Sequence, residues 1–197
     1  MGRTTLNDSA NEINSTPIYT IGYGNNPIEE FINILKKYRI DYLIDVRSKP
    51  FSKFLPDYSR ENLEKNTQLN PIRYVFMGDL LGGMPADETC YTDGRVDYAK
   101  CRKKDFFKAG IDRITTAFQK DLRVALMCSC GKPQNCHRSK LIGKSLILKG
   151  VDVLHLDDKG KQFTQNDIEI LLSPISDLFG NEKESATSRK KYEPAKK

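Results

Sequence analysis

The sequence predicts an α/β fold, in which a single three-layer domain has a mostly parallel sheet of about five strands with helices on both faces. Three observations favour this fold. Short apolar runs that suit buried strands alternate with segments whose apolar residues recur at helical spacing. Several of these runs are nearly continuous in apolar residues, as parallel strands covered on both faces are. The chain has 197 residues, 38% of them hydrophobic, which suits one domain with a core better than two.

Three strands and two helices are predicted in the first half of the chain. Apolar runs predict strands at 17–21, 41–46 and 72–76. The helix predicted at 27–38 has Asn26 as its N-cap and Pro27 at its first position. A further helix begins at Ser59, and the long irregular segment 77–97 is typical of a lid, a binding loop or disorder.

The second half of the chain continues the alternation of helix and strand. Apolar residues at helical spacing predict helices at 98–120, 137–149 and 164–172. Strands are predicted at 122–128 and 151–156. Because strands and helices alternate, we expect right-handed crossovers between parallel strands.

The predicted domain spans residues 16–174, between a flexible arm at 1–15 and a flexible basic tail at 175–197. The arm is polar and lacks periodicity. The net charge of the chain is +6, and the tail contributes to it through Arg189, Lys190, Lys191, Lys196 and Lys197. Such a tail can bind phosphate backbones weakly, although a solvated end is the more common role of a basic run.

The sequence predicts a cytoplasmic protein that does not enter a membrane. No apolar run has the length needed to cross a bilayer, and the first twenty residues lack the apolar centre of a secretory signal. The chain has five cysteines, an odd number, and three of them lie within nine positions. In a reducing compartment this crowding indicates thiol chemistry or metal binding before a disulfide scaffold.

The candidate site is centred on the stretch 123–138, RVALMCSCGKPQNCHR. Cys128 lies where the predicted strand ends, and Cys136, His137 and Arg138 lie where the next helix begins. The carboxyl ends of parallel strands meet at one edge of a sheet. Residues that follow the first two strands are therefore expected beside Cys128: Gly22, Tyr23, Gly24, Asp45, Arg47 and Ser48.

The first functional hypothesis is a thiol-dependent transferase or hydrolase that needs no cofactor. Its catalytic residues would be Cys128, Cys136 and His137, because a helix N-terminus and neighbouring cations favour the thiolate. The expected anion-binding residues are Arg47, Arg138, Asp45, Ser48, Ser129, Gly22, Tyr23 and Gly24. The substrate would be phosphorylated, sulfur-bearing or nucleotide-like. Asp45 and Arg47 are equally expected to form an ion pair that fixes their loop.

Two other hypotheses use the same part of the molecule. In the first, Cys128, Cys130, Cys136 and His137 bind zinc or iron, although simultaneous ligation by two adjacent residues is awkward. In the second, the protein binds a nucleotide or nucleic acid without thiol chemistry. Basic and aromatic residues that alternate after the second strand would then contact phosphates and bases: Arg47, Lys49, Phe51, Lys53, Phe54 and Tyr58.

Several motifs, in order, resemble the family called domain of unknown function 488. They are Thr20-Ile21-Gly22-Tyr23-Gly24-Asn25, Asp45-Val46-Arg47-Ser48 with Pro50, Tyr58-Ser59 with Leu63, Leu81-Gly82-Gly83, Leu126-Met127-Cys128, Cys136-His137-Arg138 and Val153-Leu154-His155. The resemblance covers roughly residues 17–160 and implies the fold and the site. Tyr23 stands where the family often has His, and Cys130 stands where it often has an acidic residue.

A more distant likeness is to rhodanese-type sulfurtransferases and cysteine phosphatases. Their layout is similar to Asp45-Val46-Arg47 after an early strand and to a cysteine-bearing loop that ends in Arg138. The interval from Cys128 to Arg138 is longer than a compact phosphatase loop. The likeness is therefore one of architecture.

Overall fold

A sheet of six strands, five of them parallel, forms the centre of the protein. The computed structural model describes residues 16–69, 71–172, 187–188 and 190–192. The strands of the sheet are β1 (Ile18–Gly22), β2 (Tyr42–Asp45), β3 (Arg73–Phe76), β6 (Val124–Cys128), β7 (Val153–Leu156) and β8 (Gln162–Thr164). Their order is β3-β2-β6-β1-β7-β8, and a separate hairpin consists of β4 (Tyr91–Thr92) and β5 (Arg95–Val96).

The predicted α/β fold and the predicted parallel strands are confirmed. The sixth strand, β8, was not predicted and pairs antiparallel with β7 at one edge of the sheet. It has three residues, of which only Phe163 is partly buried. So short a strand carries too little alternation of apolar and polar residues to be recognised.

Helices cover both faces of the sheet. They are α1 (Ile28–Lys37), α2 (Arg60–Leu69), α3 (Gly78–Leu81), α4 (Tyr98–Arg102), α5 (Asp105–Gln119), α6 (Lys144–Ile147) and α7 (Gln165–Leu172). A π-helical segment, Arg138–Gly143, runs directly into α6. Single 3-10 turns are formed by Pro56–Tyr58, Glu88–Cys90 and Pro133–Asn135.

Two details of the predicted helices are wrong. The single helix predicted at 98–120 is divided into α4 and α5, because Lys104 has extended backbone angles. Asn26 is not the N-cap of α1: Pro27 occupies that position, and the side chain of Asn26 donates a hydrogen bond to the carbonyl of Asp158.

Alternating residues of each strand separate the core into two layers. On one face, α1 packs Phe31 and Leu35 against inward residues such as Leu43 and Met127. On the other face, α5 and the helix after β6 cover residues that include Leu126 and Cys128. Cys128 therefore lies on the α5 side of the sheet. Asp45 is two residues after Leu43 in β2, so the two residues share a face, and Asp45 lies on the α1 side.

A buried polar network joins β1, β7 and α7. The His155 side chain is fully buried, with Nδ1 2.8 Å from the Thr20 hydroxyl and Nε2 2.9 Å from Oε1 of Gln165. Burial is the main cause that lowers the pKa of His155 to about 4. His155 is therefore a neutral core residue.

Residues near the C-terminus contact the hairpin of β4 and β5. Thr187 forms an antiparallel bridge with Asp97, and the amide of Ser188 donates to the carbonyl of Val96 at 2.8 Å. The amide of Tyr192 donates to Gly94 at 2.7 Å. This part of the predicted tail, 187–188 and 190–192, thus lies against the domain.

The predicted arm at 1–15 lies outside the described residues, as do 173–186, 189 and 193–197 of the predicted tail and the region where the domain is expected to end. Within the described part of the chain, none of the helices combines the length and apolar character required to cross a bilayer.

Candidate functional site

A pocket of about 240 Å³ opens where β1, β2 and β6 end. Eight of the residues proposed from the sequence for catalysis, anion binding or metal binding line it: Tyr23, Arg47, Ser48, Cys128, Ser129, Cys130, Cys136 and His137. The strand ends that were expected to converge therefore do meet in the fold.

Three thiols lie together on one side of the pocket. The Sγ atoms of Cys128, Cys130 and Cys136 are all within 4.8 Å of one another. Cys128 ends β6, and the turn Pro133–Asn135 returns the chain so that Cys136 comes back beside it. Cys128 and Cys136 are buried, with 5% and 2% of their surface exposed, whereas Cys130 is partly exposed.

His137 contacts two of the three thiols. Its Nδ1 lies 3.9 Å from Sγ of Cys128 and 3.7 Å from Sγ of Cys136. Its Nε2 lies 3.1 Å from the carbonyl oxygen of Val46. Because a carbonyl oxygen only accepts hydrogen bonds, Nε2 carries a hydrogen, and Nδ1 is the nitrogen that can take a proton from a thiol.

The environment of the cluster favours a thiolate at Cys128. Hydrogen bonds from Cys130 and Cys136, together with the charge of His137, outweigh burial and hold the pKa of Cys128 well below its ordinary value. Burial of His137 lowers its pKa, but the Cys128 thiolate outweighs this effect and raises it. Burial raises the pKa of Cys136 to about 12, and the hydrogen bond to Cys128 raises that of Cys130. These shifts favour the thiolate at Cys128 over a thiolate at Cys130 or Cys136.

Asp45 and Arg47 form a buried ion pair. Nη2 and Nε of Arg47 lie 2.6 Å and 2.9 Å from the two carboxylate oxygens of Asp45. Nη2 also donates to the carbonyl of Tyr58, and Nη1 donates to the Tyr23 hydroxyl. Tyr74 donates to Asp45 at 2.7 Å. The loop-fixing pair considered from the sequence is therefore present, and Arg47 still borders the pocket.

Arg138 does not line the pocket. Its side chain is fully buried, and it donates to the carbonyls of Leu156 and Gly131 at 2.8 Å and 3.0 Å. These bonds hold the loop after β6 against β7. The structure therefore does not bring Arg138 to the pocket beside Arg47, where its expected role in anion binding would place it.

Gly22, Gly24 and Asp45 lie behind the pocket wall. A Cβ atom on Gly22 would stand 1.7 Å from the carbonyl oxygen of Cys130, so this strand end needs glycine for close backbone approach. Gly24 has a φ of 57° and faces the Asp158 carboxylate. These residues position the pocket without bordering it.

Other pocket residues were not proposed from the sequence as site residues: Gly83, Met84, Tyr98, Asn135, Ser188, Lys190 and Tyr192. Gly83 had a signal in the sequence, since it belongs to the motif Leu81-Gly82-Gly83 that resembles the family. A Cβ atom there would stand 2.8 Å from Nδ1 of His137. No signal in the sequence placed Lys190 and Tyr192 at the pocket, because a basic tail carries no pattern that predicts where it contacts the domain.

The thiol cluster also fits a small soft metal ion. The ligands of a tetrahedral zinc with bonds of about 2.3 Å to sulfur are separated by roughly 3.8 Å. Three Sγ atoms within 4.8 Å of one another, with Nδ1 of His137 close to two of them, approach that arrangement. Cys136 and His137, although adjacent, both face the cluster.

Together, the fold and the pocket define an α/β protein with a thiol-rich site at the carboxyl ends of its parallel strands. The profile of the family described as domain of unknown function DUF488 matches residues 27–144, well over half of the chain, and the protein belongs to this family. Comparisons with curated proteins and with solved structures found no match. The matched range includes Asp45, Arg47 and the whole loop from Cys128 to Arg138. The resemblance to this family is thereby confirmed.

Proposed function

We propose that the protein is a thiol-dependent enzyme in which the Cys128 thiolate attacks an anionic substrate. The observation that carries this proposal is the pair of Cys128 and His137 in an open pocket. Nδ1 of His137 lies 3.9 Å from Sγ of Cys128, and the Val46 carbonyl orients the ring from the other side. A nucleophilic thiol, a base and a group that orients the base are the parts of an activated nucleophile.

The charge of the pocket supports an anionic substrate. Lys49 and Lys190 border it, as does Arg47, whose charge is paired with that of Asp45, and no acidic side chain lines it in the described part of the chain. The pocket has a volume of about 240 Å³. A small anion, or the phosphorylated, sulfur-bearing or nucleotide-like end of a larger molecule, suits this space.

His137 and Tyr23 would assist the reaction. As imidazolium, His137 stabilises the thiolate and then returns a proton to the leaving group. The Tyr23 hydroxyl accepts a hydrogen bond from Arg47 at 3.2 Å and so can donate its own hydrogen to a substrate oxygen. Both roles follow from groups that border the pocket beside Cys128.

Alkylation tests the proposal directly. At pH 7, iodoacetamide should modify Cys128 faster than free cysteine, as peptide mapping would show, and Cys128→Ser should lose the fast phase. Lowering the salt concentration should raise the rate of Cys128 alkylation by iodoacetate, which is anionic, relative to the rate with neutral iodoacetamide, because the pocket is cationic. If Cys128 reacts no faster than free cysteine, the proposed function is wrong.

A second candidate function is binding of a nucleotide or nucleic acid. Phe51 and Phe54 are 72% and 90% exposed on the loop that borders the pocket, and Lys49 and Lys53 of the same loop are exposed as well. Exposed aromatic and basic side chains in one loop suit stacking and phosphate contacts. Tyr58 is buried, and Asp45 holds Arg47, so these two residues are less suited to the roles expected for them.

Anisotropy of a labelled single-stranded oligonucleotide would test the second candidate. Phe54→Ala should weaken binding, whereas Leu148→Ala, which changes an exposed apolar residue outside the loop, should not. Affinity should fall as salt rises. Binding that is insensitive to salt would count against it.

Metal binding at the three thiols and His137 is the alternative to a free thiolate. A bound zinc would stabilise the loop after β6 and remove Cys128 as a nucleophile. Elemental analysis of purified protein and of Cys136→Ser separates the alternatives. About one zinc or iron per chain, lost in the variant, would favour the metal centre and contradict the free thiolate.

A further inference from the structure

The pocket contains more thiols than a reaction at one cysteine requires. Cys130 and Cys136 both lie within 4.8 Å of Cys128, measured between Sγ atoms. A disulfide requires sulfurs about 2.05 Å apart, with Cβ atoms about 3.5–4.5 Å apart. With Sγ atoms within 4.8 Å of one another, these thiols are candidates for such a bond. Transfer of a phosphoryl group to Cys128 would make no use of such a neighbour, whereas thiol–disulfide exchange needs one.

His137 distinguishes between the two neighbours. Its Nδ1 lies 3.7 Å from Sγ of Cys136, slightly closer than the 3.9 Å to Cys128, and makes no hydrogen-bond contact with Cys130. One imidazole can therefore stabilise the Cys128 thiolate first and accept the proton of Cys136 later. Cys136 also follows the turn Pro133–Asn135, across the loop from Cys128, whereas Cys130 is only two residues from it.

We propose that the pocket reduces small anionic disulfides by dithiol exchange, with Cys128 as the attacking thiol and Cys136 as the resolving thiol. This inference rests on the proposed function, because it uses the same Cys128 thiolate, and it names the substrate class. The two lysines that border the pocket, Lys49 and Lys190, select disulfides that carry carboxylates or phosphates.

The exchange has two balanced steps. The Cys128 thiolate attacks the R′ sulfur of R–S–S–R′ and forms a mixed disulfide between Cys128 and R′–S. The substrate S–S bond breaks, and the departing R–S⁻ takes the proton of the His137 imidazolium. Neutral His137 then accepts the proton of Cys136, whose thiolate attacks the Cys128 sulfur. The bond to R′–S breaks, and R′–S⁻ receives that proton from His137. Two thiols are released, and the two electrons come from the Cys128–Cys136 pair, which a dithiol reductant restores.

Glutathione disulfide, which is anionic, is a suitable probe for the fully reduced chain. One equivalent should lower the number of titratable thiols in denatured protein from five to three, with a peptide that links Cys128 to Cys136. Cys136→Ser and Cys136→Ala should instead accumulate one glutathionyl group on Cys128. Cys130→Ser should still form the internal disulfide, and Cys128→Ser should form neither product. Bis(2-hydroxyethyl) disulfide, a neutral probe, should react on the order of 10-fold more slowly at low salt.

The outcomes separate this inference from the proposed function. If Cys128 alkylates rapidly but its mixed disulfide persists in the unsubstituted chain, dithiol exchange is wrong and the thiol-dependent function stands. A linkage between Cys128 and Cys130 would overturn the assignment of Cys136. If Cys128 is inert towards both alkylation and disulfides, both proposals fail. Because Cys136 is buried, circular dichroism of both of its variants must show the native fold before their adducts are compared.

Discussion

His137 is the histidine that contacts Cys128, the proposed nucleophile. It contacts Sγ of Cys128 and Cys136 through one nitrogen and the carbonyl of Val46 through the other. The other histidine of the chain, His155, is confined to a buried network with Thr20 and Gln165. The two histidines therefore provide a matched pair, one in the site and one in the core.

Replacing His137 with Gln should move the pH profile of Cys128 alkylation to higher pH. The variant loses the positive charge that helps to lower the pKa of Cys128, so that pKa should rise. A thiol is protonated below its pKa, so the rate at pH 6.5 should fall on the order of 10-fold and recover at higher pH. His155→Gln should leave the profile in place. An unchanged profile in His137→Gln would show that the imidazole does not act on Cys128.

The ion pair of Asp45 and Arg47 should be worth much more to stability than a surface pair. Asp45→Asn leaves the buried guanidinium of Arg47 without its counter-ion, and such a loss typically costs about 3–5 kcal/mol. The exposed pair of Arg60 and Glu64 is the control: Glu64→Gln should change stability by about 1 kcal/mol or less. Urea denaturation monitored by circular dichroism gives both values. If the two variants lose the same free energy of unfolding, the buried pair does not have the structural role expected for it.

At the scale of the element, the loop after β6 is shaped by its close approach to the end of β1. A Cβ atom on Gly22 would stand 1.7 Å from the carbonyl oxygen of Cys130, and it would meet Nη2 of Arg138 at 3.1 Å. The carbonyl belongs to the backbone, so rotation of a side chain cannot relieve the overlap. The position of Cys130 and its neighbours thus depends on a glycine in another strand.

Gly22→Ala should displace the loop and slow alkylation of Cys128, in addition to lowering the free energy of unfolding. Gly150→Ala is the control, because Gly150 has a φ of 73° and the described part of the chain brings no atom within 4 Å of the point where its Cβ would stand. It should cost about 1 kcal/mol from backbone strain alone and leave the alkylation rate unchanged. Denaturation and alkylation measured on both variants separate the two effects. Normal Cys128 reactivity in Gly22→Ala would mean that the close approach does not position the loop.

Elements with a strong periodic pattern could be predicted from the sequence, and elements set by tertiary contacts could not. The stripe of Phe31 and Leu35 predicts α1, and the apolar run of β6 predicts a central strand. The break at Lys104 depends on how α4 and α5 pack, and the π-helical turns of Arg138–Gly143 leave no mark in the spacing of apolar residues.

The same distinction holds for the site. The location of Cys128 and His137 at the pocket could be predicted, because a strand end and a helix start carry local signals. The placement of Arg138 could not be predicted, because an arginine near a helix start can bind an anion or donate hydrogen bonds to two backbone carbonyls, as it does here. Only the folded position of β7 and Gly131 decides between these partners.

At the scale of the whole molecule, the pocket is closed by parts of the chain that are far apart. Lys190 and Tyr192 border it beside residues of β1, β2 and β6. The C-terminal residues are held there through the hairpin, since Val96 donates to Oγ of Ser188 and accepts from its amide. This contact brings a lysine from the basic end of the chain to the site.

Lys190→Gln should weaken the preference of the pocket for anions. The variant removes one of the two lysines that border the pocket, so the ratio of iodoacetate to iodoacetamide rates at Cys128 should fall about 2-fold to 5-fold at low salt. Lys191→Gln removes the same charge from a neighbouring exposed lysine that does not line the pocket, and it should change the ratio less. Deletion of residues 187–197 should lower the ratio at least as much as Lys190→Gln. If both lysine variants behave alike, the contribution of the C-terminal residues is net charge alone, and their contact with the hairpin does not shape the site.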